Sequence, residues 1–479
     1  MADVFFRHSL SRKVAEIRPP ARKKLLRLVQ ATRLSLTPFL LTDDVRLRDS
    51  IQDEGELAGP DKGDKSMTTR REFIRNSAVL AGAAAIGGRN LLGWPSLAGP
   101  AKSRVVSVAA ADILVEGKYN PEAVGRVYEA GMKELTGEKN AANAWSSLFS
   151  PDDVVGIKIN CIGAPKVSTS LESVQTVIAG LKSAGVRENN IIVWDRSDRE
   201  LARTGLTINN GSQGVRVKGC STKSASVLPW VEGYDKSAYI SLEDGTLKKF
   251  KELVKRNFTE NGTHREIFNS VTWLWILIQQ GNANAKKYSQ DIQRLYTDYS
   301  DREGIKRIAE EVAGRFDDVV IEDEDKSCFA EIVSREITKL VNIAVLKHNE
   351  DSGVTWAAKN IGLGVTTNKV RFHIDFCARA ISEILSHPCL KDKMVLHIGE
   401  AAKISTVSVA GARMAYDNRI FFSRDPVAMD RIGLDILEAK RSEQGLESIR
   451  KEAGHVAACA GRGLGTDDLS RIDLRQIKA

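Results

Sequence analysis

The chain has little cysteine and no closely spaced cysteine pair. Six cysteines are scattered through 479 residues, and none belongs to a Cys-x-x-Cys motif. Iron–sulfur clusters and structural zinc sites usually draw on closely spaced cysteines, so neither is predicted. A metal held by histidine and carboxylate ligands stays open, and no cofactor can be named. Cys377 and Cys389 are the nearest pair, and we expect free buried thiols rather than a disulfide.

The chain also lacks a long apolar run and, over most of its length, an excess of charge. The run VTWLWILI at 271–278 spans only eight residues, whereas a membrane helix needs about 20. The net charge is +8, but residues 102–479 hold 53 Lys and Arg against 51 Asp and Glu. That region shows no basic stripe interleaved with aromatic residues. We therefore expect no stable transmembrane segment there and no nucleic-acid partner.

The most informative motif is Thr-Arg-Arg-Glu-Phe-Ile-Arg at residues 69–75, followed by the short apolar stretch SAVLAGAAAIGG. With Arg70, Arg71 and Phe73 in this order, it resembles a twin-arginine export signal. The alternative is a surface helix that contains a chance arginine pair. Small residues at Ala98 and Ala101 suit cleavage by a signal peptidase. The motif predicts a periplasmic or extracytoplasmic protein, with the twin-arginine translocase as its partner during export.

The position of this motif bears on where translation starts. Export signals normally lie at the extreme N-terminus, and Met67 stands two residues before the motif. We expect Met67 to be the start, residues 67–101 to be the signal peptide, and residues 1–66 to be a misassigned or disordered extension. The alternative is a long N-terminal region that belongs to the signal.

Two regions of the chain alternate between apolar strands and amphipathic helices. The spacing predicts strands at 153–159, 190–194, 339–346, 394–398 and 419–422, and helices at 121–135, 170–184, 374–385 and 426–440. A strand, a helix of about four turns and another strand form a βαβ unit, which implies a parallel pair. The predicted fold is therefore α/β, with a mostly parallel, doubly wound sheet formed by residues 102–235 and 327–479.

Residues 236–326 have a different texture. Lysine, glutamine and glutamate dominate, and the apolar spacing is helical. We predict that this segment is a helical insertion peripheral to the α/β core.

Polar side chains follow four of the predicted strands. In open α/β sheets, ligands bind beyond the carboxyl ends of the strands. Asp195 and Asp425 can be simple turn and cap residues, and a lone histidine after a strand is more often structural than functional. Their joint occurrence predicts one ligand-binding edge, formed by Lys158, Asn160, Asp195, Lys347, His348 and Asp425.

A second polar group begins in the segment TWAAKNIGLGVTTN at 355–368. Lys359 and Asn360 precede two glycines, which could let backbone N–H groups approach an anion. The lysine precedes the glycines, so this is not a Walker motif. Together with His373 and the strand-end residues, the group suits an anionic ligand, or a metal bound by two histidines and a carboxylate. The alternative is a solvated basic surface.

Four segments carry a resemblance to a known family: VGIKINCIG, NIAVLKHNEDSGVTWAAKNIGLGV, the RFH that follows, and SRDPVAMDRIGLDILEAKR. They resemble the bacterial domain of unknown function 362 family over residues 104–233 and 328–445, whereas 234–326 does not. The resemblance implies an α/β domain, sometimes exported by the twin-arginine route and sometimes fused to ferredoxin-like iron–sulfur modules. It implies no known reaction, and this chain lacks the ferredoxin cysteine motif.

These observations leave two predictions of function. The first is an enzyme that acts on an anionic small molecule, with His348, Lys347 and His373 as catalytic candidates. In that case the ligand-binding candidates are Lys158, Asn160, Lys359, Asn360, Asp195 and Asp425. The second is a non-catalytic cofactor-binding or redox accessory protein of the periplasm. Convergence of the ionisable residues in one pocket would favour the enzyme.

Overall fold

The described part of the chain is built around one ten-stranded sheet. A computed structural model describes residues 102–221, 225, 228–242, 289–290, 323, 325–349, 351–369, 372 and 377–479. Several predictions fall outside the described residues: the extension 1–66, the signal 67–101 with Arg70, Arg71 and Phe73, most of the insertion 236–326, and His373.

The elements are numbered in chain order. The strands are β1 (Ser103–Ala109), β2 (Leu114–Val115), β3 (Lys118–Tyr119), β4 (Val155–Lys158), β5 (Ile191–Asp195), β6 (Arg216–Gly219), β7 (Tyr234–Ser241), β8 (Lys326–Ala330), β9 (Lys339–Asn349), β10 (Gly353–Thr355), β11 (Met394–Val407), β12 (Arg413–Tyr416), β13 (Arg419–Ser423) and β14 (Ile472–Lys478). The helices are α1 (Pro121–Thr136), α2 (Ala141–Ser146), α3 (Leu171–Ser183), α4 (Asp198–Arg203), α5 (Ala357–Gly362), α6 (Ala378–Ser386), α7 (Pro388–Lys391), α8 (Pro426–Glu443) and α9 (Gly454–Gly461).

The central sheet is mostly parallel, as predicted. Its strand order is β14-β1-β13-β11-β9-β4-β5-β6, with β10 paired to β9 and β12 paired to β11. The five strands from β11 to β6 run parallel to one another. On the other side, β13 is antiparallel to both of its neighbours, β11 and β1. The sheet therefore has a parallel half that can form a ligand-binding edge.

Helices cover both faces of the sheet, which makes the fold doubly wound. Alternate residues of β9 enter different apolar layers: Val341 and Ile343 pack with helices α1 to α3, and Leu340 and Ala344 pack with α5, α6 and α8. Parallel strands that are buried on both faces have continuous apolar runs in their sequence. This explains why β4, β5 and β9 were recognisable from the sequence.

The predicted helix boundaries follow from local capping. The Ser170 side chain accepts a hydrogen bond from the Ser173 amide and begins α3, and Gly185 follows that helix in the left-handed region. Asp425 caps α8, whose first residue is Pro426, as the sequence predicts. None of the helices in the described part of the chain is long and apolar enough to cross a lipid bilayer.

Two strands extend well beyond their predicted ends. Strand β9 continues to Asn349 because β10 folds back on it, pairing Thr355 with Lys347 and Val354 with His348. Strand β11 continues to Val407, and β12 returns along it. The prediction that Lys347 and His348 follow the end of a strand is therefore wrong. Both lie within β9, where consecutive side chains point to opposite sides.

The predicted helical insertion has strands at its two ends. Strands β7 and β8 pair antiparallel in a small sheet of their own, with Tyr239 opposite Cys328. Residues 236–241 are therefore extended rather than helical. All six cysteines are free thiols, and Cys377 and Cys389 do not form a disulfide.

Candidate functional site

A crevice opens at the carboxyl ends of β4, β5 and β9. The chain leaves β4 through α3 on one face of the sheet, and leaves β9 through α5 and α6 on the other. Two neighbouring strands whose connections depart to opposite faces leave a gap between them, and open α/β sheets bind ligands at such switch points. The empty space in this crevice, counted together with the solvent at its mouth, is about 580 Å³.

Six of the predicted site residues meet in this cavity: Lys158, Asn160, Asp195, Lys347, Lys359 and Asn360. The remaining lining residues are Ile162, Arg196, Asn349, Thr355, Leu363, Gly364, Lys369 and Val409. Four lysines and one arginine therefore face a single carboxylate among the described lining residues. This excess of positive charge suits an anionic ligand.

His348, predicted as a catalytic residue, does not line the cavity. Its neighbours Lys347 and Asn349 do, and alternation along β9 turns the imidazole to the other side. There its Nδ1 accepts a hydrogen bond from the Ser408 amide at 3.2 Å. His348 therefore contacts the segment after β11 rather than the crevice.

Asp425, predicted as a ligand-binding residue, lies at the opposite edge of the sheet. Strand β13 is antiparallel to β11, and Ser423 at its end pairs with His397 near the beginning of β11. The Asp425 carboxylate accepts hydrogen bonds from the Val427 and Ala428 amides at 2.9 and 2.8 Å. It is a helix cap, and the expectation that all four strand ends meet at one edge was wrong.

Lys158 and Asp195 form a buried ion pair at the floor of the cavity. The Lys158 ammonium lies 2.8 Å from Asp195 Oδ1 and also donates to the Ile159 carbonyl at 2.6 Å. Asp195 Oδ2 accepts from the Cys161 amide at 2.8 Å. Burial by itself raises the pKa of the Asp195 carboxyl, but the Lys158 charge and these hydrogen bonds outweigh it and lower that pKa. The charge of Lys158 is therefore already compensated.

Lys347 is fully buried and has no carboxylate partner in the described part of the chain. Its ammonium nitrogen donates to Asn160 Oδ1 at 2.5 Å and to the Ile162 carbonyl. Burial lowers the pKa of the Lys347 amine to about 7, and the neighbouring Lys158 charge acts in the same direction. Near neutral pH this side chain can therefore both accept and donate a proton.

A chain of buried amides fixes the acceptor that faces Lys347. The Asn342 amide nitrogen donates to the Ala357 carbonyl at 3.0 Å, and the Asn360 amide nitrogen donates to Asn342 Oδ1 at 2.7 Å. The Asn160 amide nitrogen then donates to Asn360 Oδ1 at 2.9 Å. Because a backbone carbonyl only accepts, it sets the orientation of every amide in the series. Asn160 must therefore present its oxygen to Lys347.

Helix α5 presents Lys359 and Asn360 to the cavity, and its N-terminus is capped by a distant carboxylate. Asp430 of α8 accepts hydrogen bonds from the Ala357 and Ala358 amides at 2.5 and 3.0 Å. On the same carboxylate, Asp430 Oδ2 also lies 3.3 Å from His455 Nε2. Burial raises the pKa of the Asp430 carboxyl, which His455 and the two amides oppose. This pair holds α5, and with it Lys359, in place.

Two polar groups of the cavity lack a partner among the described residues. The Thr355 hydroxyl is buried without a hydrogen bond. Lys359 is 6% exposed, and its ammonium makes neither a hydrogen bond nor an ion pair with any described residue. Buried polar groups are nearly always satisfied, and an unsatisfied one costs about 1–3 kcal/mol. The cavity is therefore lined by two donors, a hydroxyl and an ammonium, that no described residue engages.

The two glycines after Lys359 have a packing role rather than the predicted contact with an anion. The Gly364 amide donates to the Ile361 carbonyl at 2.9 Å. A Cβ on Gly364 would lie 2.7 Å from Lys158 Cε, so glycine makes room for that lysine. A Cβ on Gly362 would lie 3.0 Å from Ile381 of α6.

Sequence reasoning missed Thr355, Asn342 and Lys369. Thr355 opens the segment that drew attention, but nothing local distinguishes a threonine that faces a cavity. Asn342 is the one polar residue between Leu340 and Leu346, and that interruption was a usable signal. The described residues contain no cluster of three or more His, Cys, Asp or Glu side chains able to hold a metal.

The fold and the crevice define a doubly wound α/β domain with a basic switch-point pocket. Residues 283–435 match the sequence model of the family described as Domain of unknown function (DUF362). The chain therefore carries a domain of this family, and the resemblance is confirmed. The match includes residues 283–326, which we expected not to resemble the family, and excludes the VGIKINCIG segment. No curated protein and no solved structure matches the chain significantly.

Proposed function

We propose that this chain is an enzyme that acts on a small anionic molecule bound in the switch-point crevice. The observation that carries the proposal is Lys359, whose side chain is 6% exposed, lines the cavity and makes no hydrogen bond or ion pair with any described residue. A buried charge without a counter-ion is costly, and a bound carboxylate or phosphate would compensate it.

The lining residues divide into three roles in this proposal. Lys359 and the Thr355 hydroxyl bind the anion, because both are unpartnered in the described structure. Lys158 and Asp195 form the charged floor on which the cavity is built. Lys347 is the acid–base group, because its pKa of about 7 lets it exchange a proton near neutral pH. This last feature favours an enzyme over the alternative, a non-catalytic accessory protein.

Isothermal titration calorimetry with phosphate, acetate, pyruvate and citrate tests the binding step. We expect at least one of these anions to bind the wild type with a dissociation constant in the micromolar to millimolar range typical of small substrates. Lys359→Met should weaken that binding about tenfold or more, since the lost contact is charge-assisted and buried. Lys451→Met, which removes an exposed lysine that does not line the cavity, is the matched control and should bind normally.

Two results would count against the proposal. Equal losses in both lysine variants would indicate non-specific attraction to a basic surface. Retention of full affinity in Lys359→Met would remove the residue on which the proposal rests.

The proposed site of action is outside the cytoplasm. The support is the twin-arginine motif at residues 69–75 with the short apolar stretch that follows it. We propose that the twin-arginine translocase exports the folded protein, which suits a domain whose site is assembled from strands far apart in the chain.

A further inference from the structure

The Lys347 nitrogen has the surroundings of an amine nucleophile rather than those of a structural ammonium. A neutral amine has two N–H groups and one lone pair, whereas an ammonium has three N–H groups and no lone pair. Lys347 donates to two acceptors, Asn160 Oδ1 and the Ile162 carbonyl, and to no third group in the described part of the chain. In the neutral form of Lys347, these two acceptors occupy both N–H groups and leave the lone pair available.

The hydrogen bonds around Lys347 make this arrangement stable. The Ala357 carbonyl fixes the orientation of the three linked side-chain amides, Asn342, Asn360 and Asn160. Asn160 therefore cannot turn its amide nitrogen toward Lys347. Burial and the charge of Lys158 lower the pKa of Lys347 to about 7. Lysines that act as nucleophiles are activated by burial or by a neighbouring cation.

Thr355 lies directly beside Lys347. The two residues are opposite one another in the β9–β10 pairing, and both line the cavity. Directly opposed residues of paired strands place their side chains on the same face, with Cβ atoms about 5 Å apart. A ligand whose carboxylate is bound by the Thr355 hydroxyl would therefore place its adjacent carbon close to the Lys347 nitrogen.

We propose, on the basis of the anion-binding function above, that Lys347 forms an imine with the carbonyl carbon of a small 2-oxo acid. In such acids the carbonyl carbon is bonded directly to the carboxylate, which matches the adjacency of Lys347 and Thr355. Lys359 supplies the compensating charge for the carboxylate.

The step balances without an oxidant or a reductant. The Lys347 nitrogen attacks the carbonyl carbon and forms a carbon–nitrogen bond. The carbonyl oxygen leaves as water, taking up the equivalent of the two amine protons, and a carbon–nitrogen double bond remains. An imine of this kind withdraws electrons from the neighbouring carbons, so it activates them for loss or exchange of a proton or a carboxylate.

Trapping by reduction tests the proposal on the wild-type full chain. The protein is incubated at pH 7.5 with pyruvate or glyoxylate and sodium cyanoborohydride, which delivers hydride to the imine carbon and leaves a stable secondary amine. Peptide mapping by mass spectrometry then locates the adduct. At pH 7.5 a pKa of about 7 leaves most Lys347 side chains as the amine, whereas a pKa of about 10.4 leaves roughly one lysine in a thousand in that form. We therefore expect labelling to concentrate on Lys347, by a factor on the order of several hundred relative to the exposed lysines of the chain.

Variants and an analogue separate a specific adduct from random labelling. Thr355→Val should slow labelling of Lys347, whereas Thr366→Val, which also removes a buried hydroxyl without a partner but not one in the cavity, should not. Lactate carries a hydroxyl in place of the ketone of pyruvate, so it should give no adduct but should compete with pyruvate.

The outcomes distinguish this inference from the proposed function. Lys359-dependent anion binding in calorimetry without an adduct on Lys347 would overturn the imine and leave the anion-binding function standing. Adducts spread evenly over exposed lysines would overturn it as well. Absence of any anion binding would overturn the proposed function itself.

Discussion

Single residues carry the argument for a ligand in the crevice. The polar groups of Thr355 and Lys359 make no hydrogen bond to any described residue, whereas Lys158, Asp195 and Asn160 are satisfied by their neighbours. A folded chain tolerates unsatisfied groups at a cost in stability, and such groups are concentrated where function requires them. Removal of one of these unsatisfied groups should therefore increase the stability of the fold and weaken ligand binding.

Thr355→Val should show this opposition. The substitution removes an unpartnered buried hydroxyl at nearly constant volume, so the free energy of unfolding should rise by about 1 kcal/mol in the absence of ligand. Anion affinity should fall, because the hydroxyl is a proposed ligand contact. Urea denaturation and calorimetry measure the two effects.

Thr366→Val is the control for that variant, since the Thr366 hydroxyl is equally buried and unpartnered but lies outside the cavity lining. It should stabilise the protein by a similar amount and leave anion affinity unchanged. A Thr355→Val protein with unaltered affinity would contradict the assignment of Thr355 to the ligand.

The titration of Lys347 should appear in the pH dependence of stability. Its folded-state pKa, about 7, lies below the ordinary value of 10.5. Between these values the unfolded chain binds more protons than the folded one, so stability rises with pH. The cost of burying the ammonium is complete below pH 7 and is relieved as pH increases toward 10.5.

Relative to Lys347→Met, the wild type should therefore gain roughly 1 kcal/mol of stability per pH unit between pH 7 and 9. Urea denaturation of both proteins across that range gives the difference. A constant difference would show that the Lys347 pKa is not depressed. Comparison with Lys451→Met removes contributions from general charge effects.

The sequence predicted which residues lie at the crevice better than it predicted the direction in which each side chain points. Lys158, Asn160, Asp195, Lys347, Lys359 and Asn360 were expected at one edge and line one cavity. The orientation of His348 was not predictable, because it depends on whether β9 ends before Lys347 or continues to Asn349. That is decided by the β10 hairpin rather than by the strand itself.

Among the elements, the short helix α5 has the most direct influence on the crevice. It carries Lys359 and Asn360, and at six residues it is too short to be stable without tertiary contacts. Its cap comes from Asp430, 73 residues away in the chain. Such a cap leaves no local sequence signal, which is why no helix was predicted in this segment.

Asp430→Ala should disturb both stability and binding. It removes the acceptor for the Ala357 and Ala358 amides and leaves His455 buried without its partner, so unfolding should become easier by about 3 kcal/mol. Anion affinity should also fall, because α5 positions Lys359. Calorimetry on the folded fraction, verified by circular dichroism, measures the binding effect.

Asp425→Ala provides a matched control at the other edge of the sheet. Asp425 also caps a helix with its carboxylate, and its loss should cost about 1–2 kcal/mol. Because Asp425 itself contacts neither α5 nor a residue of the cavity lining, affinity should not change. Equal losses of affinity in the two variants would indicate general destabilisation rather than positioning by Asp430.

On the scale of the whole molecule, topology decides which strand ends meet. The alternation of strands and helices correctly predicted a mostly parallel, doubly wound sheet, because parallel strands buried on both faces are apolar throughout. It did not predict that β13 runs antiparallel between β11 and β1. Strand direction depends on the path of the connection, and β12 returns the chain along β11 before β13 begins. Asp425 was misplaced for that reason.

The proposed export also concerns the whole chain. Replacing Arg70 and Arg71 by lysine should leave the protein in the cytoplasm, because the receptor reads the arginine pair. Fractionation of cells followed by immunoblotting measures the distribution. Arg75→Lys is the control and should be exported. Normal export of the double variant would refute the twin-arginine route, as would a native N-terminal peptide from residues 1–66.

The most direct test of the anion site is a crystal structure of the protein grown with the anion that calorimetry selects. We expect density for that anion in the crevice between β4 and β9, within hydrogen-bonding distance of Lys359 Nζ and Thr355 Oγ1. Crystals of Lys359→Met grown under the same conditions should lack this density. An empty crevice in the wild type, with the Lys359 ammonium paired to a carboxylate of the chain itself, would contradict the proposed function.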